Sequence, residues 1–330
     1  MEARKKLTDI LTANRAARAV QVAAHLGLAD LVHGDVADLA ALSEATGIDP
    51  WRLGRFMRFL TALGLFRRAN SQFALTEMGQ FLCRDIPDSL HPSAITNYYL
   101  YEPFAEIEQI LRSGKSGFEI SKGKGLFDFM SETPELAEAF DLNMNELHGA
   151  ETTAMIEHYN FGQYSFLMDV GGGNGDVIRH ILNANPDMSG CLFDLPHVVE
   201  RAAGNLSGHD VMDRCEFLGG SFFEPLPRKS EAILIRHIIH DWNDDDAVLI
   251  LQRCREALTP GGVVLIAEAI IEDSESMTRP IYLDLTMLTL LDAAERTLEE
   301  YSSLADCAGL EITGTTPITP ALSIMEARAR

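Results

Sequence analysis

Along the chain, apolar positions recur first at helical spacing and later in short continuous runs. RAARAVQVAAHLGLADLV, from Arg15, is apolar around most of its circumference, which predicts a helix buried on several sides. Its cover is either the core of a small domain or a partner chain. DLAALSEATGIDPWRLGRFMRFLTALGLFRRANSQFALTEMG predicts two amphipathic helices about a turn at Gly47, with Asp49 as N-cap and Pro50 in the first turn. Two short strands come next, LFRR and FALT, about a polar turn at Asn70 and Ser71. Together these make a winged-helix pattern. From Tyr98 to about Tyr159 the spacing stays helical.

Beyond Tyr159 the strand-like runs FLMDV, SGCLFDL, RCEFLGG, EAILIRHII and GGVVLIAEAI alternate with helical ones. That alternation predicts α/β architecture, a largely parallel, doubly wound sheet. The last two runs, LEITGTT and LSIMEAR, have no helix-length spacer between them and predict an antiparallel pair at the sheet edge. The expected organisation is a winged-helix-like, essentially all-α domain over 1–97, a helical connection over 98–159 and the sheet domain over 160–330.

Composition narrows the field. The 330 residues suffice for two cores, and 46% hydrophobic with 23% charged residues is an ordinary globular balance. A net charge of −22 argues against a surface built to hold nucleic acid. Arg52, Arg55, Arg58, Arg67 and Arg68 in the winged-helix segment nevertheless raise DNA binding, against the plainer reading that they are solvated or paired with carboxylates. Five scattered cysteines without a C-x-x-C pair predict reduced thiols in a cytoplasmic protein, with no zinc and no other metal. The N-terminus lacks the apolar core of a signal peptide, and no uncharged apolar run reaches membrane-spanning length.

A doubly wound sheet binds ligands at the carboxyl ends of its strands, so the residues just past each strand carry the chemistry. FLMDVGGGNGDVIRHIL reads as strand, glycine turn, helix, pointing free N–H groups at a ligand or simply making a tight turn. Gly171, Gly173 and Gly175 come after the first strand. Asp194 ends the second, placed to accept from ribose hydroxyls. Phe222, in GGSFFEPLP after the third, is placed to cover an adenine face. His240 and Asp241 lie just beyond the fourth strand, and the fifth leads to Glu268.

An adenosine-shaped ligand suits the first three positions. A nicotinamide dinucleotide wants G-x-G-x-x-G, whereas here Asp176 takes the place of the third glycine and would repel a pyrophosphate. S-adenosylmethionine has no phosphate, and its cationic sulfonium and ammonium suit a site holding Asp169 and Asp194. The residues favour the methyl donor.

DVGGGNG, FDLPHVV, HDWNDDDAVLILQRCREALTPGG, LIAEAII and ERTLEEYSSLADCAGLE together resemble the plant-type small-molecule O-methyltransferases, including their bacterial natural-product branch. The resemblance runs over nearly the whole chain and implies a class I methyltransferase sheet, with the N-terminal module used for homodimerisation rather than DNA binding. It implies that Gly171 to Gly175 and Asp194 hold S-adenosylmethionine, with Phe222 on the adenine and Arg236 in place of a family lysine. It further implies His240 as general base flanked by Glu268 and Glu295, with Phe140, Met144, Asp241 and Met287 on a hydroxylated aromatic acceptor. Two departures stand out: Ser221 occupies a position where many relatives have Asp against the adenine amino group, and LLDAAERT replaces a more usual glycine pair.

Histidine suits the base role on chemical grounds as well. A phenol, with a pKa of about 10, is a poor nucleophile at neutral pH until its proton is taken. Glu268 or Glu295 would fix the tautomer and stabilise the imidazolium. His237, expected within the strand, is assigned to structure, and Asp244–Asp246 to an N-cap and solvated helix start. The competing functions are a hydroxylase or decarboxylase using the same fold and cofactor, and a winged-helix regulator sensing a nucleoside-like ligand.

Overall fold

A computed structural model describes residues 2–33, 37–272 and 276–330, with residues 145–148 described by backbone alone. The chain divides into two compact units, 1–106 with 121–146, and 107–120 with 147–330.

In the first unit the opening helix spans Glu2–His25 and buries only Ala19, Ala23 and Ala24. It ends sooner than its apolar run, because Gly27 turns the chain at φ +64°. Helices Leu39–Thr46 and Pro50–Ala62 flank the left-handed Gly47, and Asp49 accepts from the Arg52 N–H as N-cap. Strands β1 (Ala37–Asp38), β2 (Phe66–Ala69) and β3 (Gln72–Leu75) form an antiparallel sheet in the order β1-β3-β2. The two-residue β1 is too short to leave a periodic signal.

The second unit is built on β4 (Phe166–Val170), β5 (Ser189–Asp194), β6 (Cys215–Gly219), β7 (Ser230–Arg236), β8 (Leu258–Glu268), β11 (Leu310–Thr319) and β12 (Leu322–Ala329), in the order β11-β12-β8-β7-β4-β5-β6. Strands β4 to β8 pair in parallel, while β12 and the edge strand β11 are antiparallel, as expected. Alternation along each strand makes two cores. Leu167, Leu192, Leu234 and Leu265 fill one face; Met168, Phe193, Ile233, Ile235, Val264 and Ile266 fill the other. Because β5 and β7 lie on opposite sides of β4, strand order reverses at the glycine turn after β4. A two-residue parallel pair, β9 (Ile270–Ile271) with β10 (Arg296–Thr297), stands apart from this sheet.

Candidate active site

Gly171, Gly173 and Gly175 all have positive φ, +72°, +56° and +83°. At Gly171 a Cβ would lie 2.4 Å from Ile238 Cδ1, so the turn presses against the segment after β7. The N–H groups expected to be free are largely taken: Gly171 bonds to Phe193 O, Gly175 to Gly172 O, and Gly173 donates to Asp194 Oδ2 at 2.9 Å. A turn that has spent its donors internally is a poor phosphate cradle, consistent with a ligand lacking phosphate. Asp194 Oδ1 also accepts from the Leu195 N–H, at 2.6 Å.

Below the turn Asp169 is buried, and its Oδ2 has no hydrogen-bond partner. Burial, reinforced by the charge of Asp194 and only partly opposed by Arg236, pushes its pKa up to about 7. An orphaned buried carboxyl oxygen beneath a glycine turn fits a cationic ligand such as S-adenosylmethionine. The Arg236 guanidinium is held by the helix Pro134–His158, donating to Thr152 Oγ1 at 2.9 Å and Glu151 Oε2 at 3.1 Å. Ser221 Oγ accepts from the Phe223 N–H in a local turn. Phe222 sits edge-on to Phe223 and Trp242 at 5.1 and 5.8 Å, which links the turn after β6 to the residue next to Asp241.

His240, Glu268, Glu295 and Asp241 converge. His240 Nδ1 lies 2.8 Å from Glu295 Oε1 and 3.7 Å from Glu268 Oε2, and its Nε2 lies 3.5 Å from Asp241 Oδ1. Both glutamates are buried. Glu268 ends β8, level with the end of β7, and its Oε1 accepts from the Ile238 and Ile239 N–H groups at 2.9 and 2.8 Å. Glu295 is brought in by the β9–β10 pair, in which Arg296 stands opposite Ile270. Its N–H donates to Asp284 Oδ1 at 3.1 Å, and Arg296 is anchored by the Ile239 and Trp242 carbonyls and by Asp244. Burial disfavours a charged His240, but Glu268, Asp241 and the Glu295 hydrogen bond outweigh it and push the pKa up to about 10. The same burial raises Asp241 to about 6, against the pull of the His240 cation.

Two expectations need correcting. His237 is not within the strand: β7 ends at Arg236, and His237 comes next at φ +52° with its ring facing Glu151 and Glu268. The helix Asp244–Glu256 is capped by Asn243, whose Oδ1 accepts from Asp246, rather than by its aspartates. The glycine pair missing from LLDAAERT leaves Asp292 at φ +55°, a left-handed position that aspartate tolerates better than most residues. Phe140 and Met144 lie in the helix Pro134–His158, within the first unit, and Met287 lies in the helix Arg279–Leu291 of the second. Glu151 and Thr152 were not anticipated. The available signal was an acid in helical register with the buried Met155 and Tyr159.

Residues 104–311 match the model of the O-methyltransferase domain, and residues 8–85 that of the O-methyltransferase dimerisation domain. The chain belongs to the O-methyltransferase family. Phenazine O-methyltransferase of Lysobacter antibioticus is 32% identical, over 98% of this chain and 95% of that protein. The structure of the mitomycin 7-O-methyltransferase superposes with a TM-score of 0.91 at 30% identity, covering 100% of this chain and 98% of the other. An O-methyltransferase of neocarzinostatin biosynthesis, solved with S-adenosylmethionine and 2-hydroxy-5-methyl naphthoic acid, has a TM-score of 0.86 at 31% identity, covering 96% of each chain. The enzyme is thus an S-adenosylmethionine-dependent O-methyltransferase of the class I fold. Among the described residues no helix is long and apolar enough to cross a membrane.

Proposed function

We propose that the enzyme methylates a hydroxyl of an aromatic natural-product-like small molecule, with His240 as general base. The observation that carries this is the contact of the largely buried His240, through Nδ1, with Glu295 Oε1 at 2.8 Å, with Glu268 beside it. Glu295 holds the ring with Nδ1 protonated and leaves Nε2 to serve the acceptor. Bound S-adenosylmethionine supplies an electrophilic methyl carbon on a sulfonium. Asp194 accepts from the ribose hydroxyls, Phe222 covers the adenine beside Ser221, and Asp169 offers charge to the cofactor's ammonium. Arg236 holds the site through Glu151, while Gly171, Gly173 and Gly175 let the backbone approach. Asp241 hydrogen-bonds the acceptor, and Phe140, Met144 and Met287 line its apolar body.

His240 and the acceptor share one proton. Imidazolium with phenolate and imidazole with phenol hold the same number of protons, and the oxygen becomes the nucleophile in the first form, with the shared proton on Nε2. The raised proton affinity of His240 brings it near that of an ordinary phenol, which makes the transfer close to thermoneutral.

In the same reading residues 1–97 form the dimerisation domain, 98–159 a helical connection reaching the acceptor, and 160–330 the cofactor-binding part of a cytoplasmic homodimer that binds no nucleic acid. The match of residues 8–85 to a dimerisation domain supports the pairing. The test is mass spectrometry of products from a panel of phenolic acceptors. One methyl gained on oxygen is expected; oxygen gained or carbon dioxide lost would point instead to hydroxylase or decarboxylase chemistry.

A further inference from the structure

Glu268 is shared. Its Oε1 is committed to two backbone N–H groups, which fixes the carboxylate and aims Oε2 between two imidazoles. His237 Nδ1 and His240 Nδ1 each lie 3.7 Å from that oxygen, and the two rings are 5.4 Å apart between centroids. At its other nitrogen, Nε2, His237 meets Glu151 Oε2 at 3.0 Å. Nε2 is hydrogen-bonded to Glu151 and Nδ1 lies within ion-pair range of Glu268, so the imidazolium is the form that both carboxylates favour. Burial opposes that charge, yet the contacts with Glu151 and Glu268 prevail and the pKa is raised. The other charged groups around the ring are Arg236, which shares Glu151, Arg279, 4.0 Å from Glu151 Oε1, and His240 with Asp241 and Glu295 behind it. The backbone of His237 sits at φ +52°, unusual for a residue other than glycine, and its N–H bonds to Ala267 O. The ring is thus held at a costly conformation between two acids.

We propose that His237 is a positioning residue for the transfer: its protonated ring occupies one side of Glu268 Oε2 and so loosens the grip of that carboxylate on the His240 proton. Glu151 keeps His237 charged, which couples the helix that holds Arg236 to the base. This rests on His240 being the base, and the wild-type controls separate the two ideas.

His237→Asn tests it, since asparagine tolerates positive φ while carrying no charge. The acidic limb of kcat/KM for the acceptor, at saturating donor, should move up by about one pH unit, a loss of about tenfold at a fixed pH on that limb. Donor affinity should change by less than about threefold. His237→Lys, which returns a cation, should bring the limb part of the way back. A limb that coincides with wild type, or a loss independent of pH, overturns the proposal. Should His237→Asn fail to fold, nitrogen-15 NMR of the wild-type imidazoles decides: both His237 nitrogens should be protonated at neutral pH, and a neutral tautomer overturns the proposal. A wild-type limb that survives His240→Asn would instead remove the base assignment.

Discussion

At the scale of single residues, two carboxyl environments make opposite demands. His240 draws its high proton affinity from Glu268, Asp241 and Glu295 against the cost of burial. Its folded pKa lies above the ordinary value, so imidazolium is favoured at neutral pH, and the rate should rise with pH as imidazolium with a still-protonated phenol gives up one of its two protons and leaves the shared-proton state. His240→Asn should lower turnover by about 10²–10⁴ with donor affinity nearly intact, and its rate should track ionisation of the acceptor's own hydroxyl. Steady-state kinetics across pH with phenols of graded acidity would check this; a loss under about tenfold with coincident profiles would leave His240 a positioning role. Asp169 is the converse case. Its folded pKa, about 7, lies above the ordinary 3.8, so its contribution to stability falls as pH rises between those values and the cost is complete above about pH 7. Asp169→Asn should therefore raise the melting temperature, the gain growing from about pH 5 to pH 7 and then levelling. The same change should weaken S-adenosylmethionine binding by about 1.5–3 kcal/mol in calorimetry, the loss expected for a contact with a charged group. A variant without both effects would remove Asp169 from the donor site.

Elements decide which of these residues meet. Glu268 ends β8 and Glu295 lies in the loop just before β10, and the two-residue pair β9–β10 brings them to one histidine. Thr297 continues β10 into a capping box with Glu300, its Oγ1 accepting from the Glu300 N–H, which fixes where the next helix begins. The opening helix Glu2–His25 shows the opposite situation. Leu7, Ile10 and Leu11 share one face at i, i+3 and i+4, and they remain 57%, 62% and 70% exposed. Three large apolar residues left open on one stripe suit the proposed pairing of chains. Leu11→Asp should weaken the dimer by about thirtyfold or more, read by analytical ultracentrifugation, while leaving the melting behaviour of the second unit unchanged. An unaltered sedimentation profile would move the interface elsewhere.

For the whole molecule, strand order and charge set the limits. The reversal of order at β4 gathers the ends of β4, β5, β7 and β8 on one edge, so the glycine turn and the segment that carries His240 become neighbours through the contact of Gly171 with Ile238. The net charge of −22 suits a cationic cofactor and opposes the nucleic-acid reading of Arg52, Arg55 and Arg58. Arg52 pairs with Asp49 at 3.4 Å, and Arg55 lies over the Trp51 ring.

The alternation of strands and helices, the glycine turn with its adjoining acid, and the histidine after the fourth strand were all legible along the chain. Each is a local pattern, because side-chain period and turn chemistry act between near neighbours. Family motifs also pointed to Glu268 and Glu295, but without the distances that give them work to do. Folding settled the rest: Glu295 stands 2.8 Å from His240, Arg236 turns to Glu151 and Thr152, and His237 leaves the strand to share Glu268. Those partners lie tens of residues apart. Their electrostatics depends on burial and on which oxygen faces which nitrogen, quantities set by the register of packed elements rather than by any residue's neighbours in the chain.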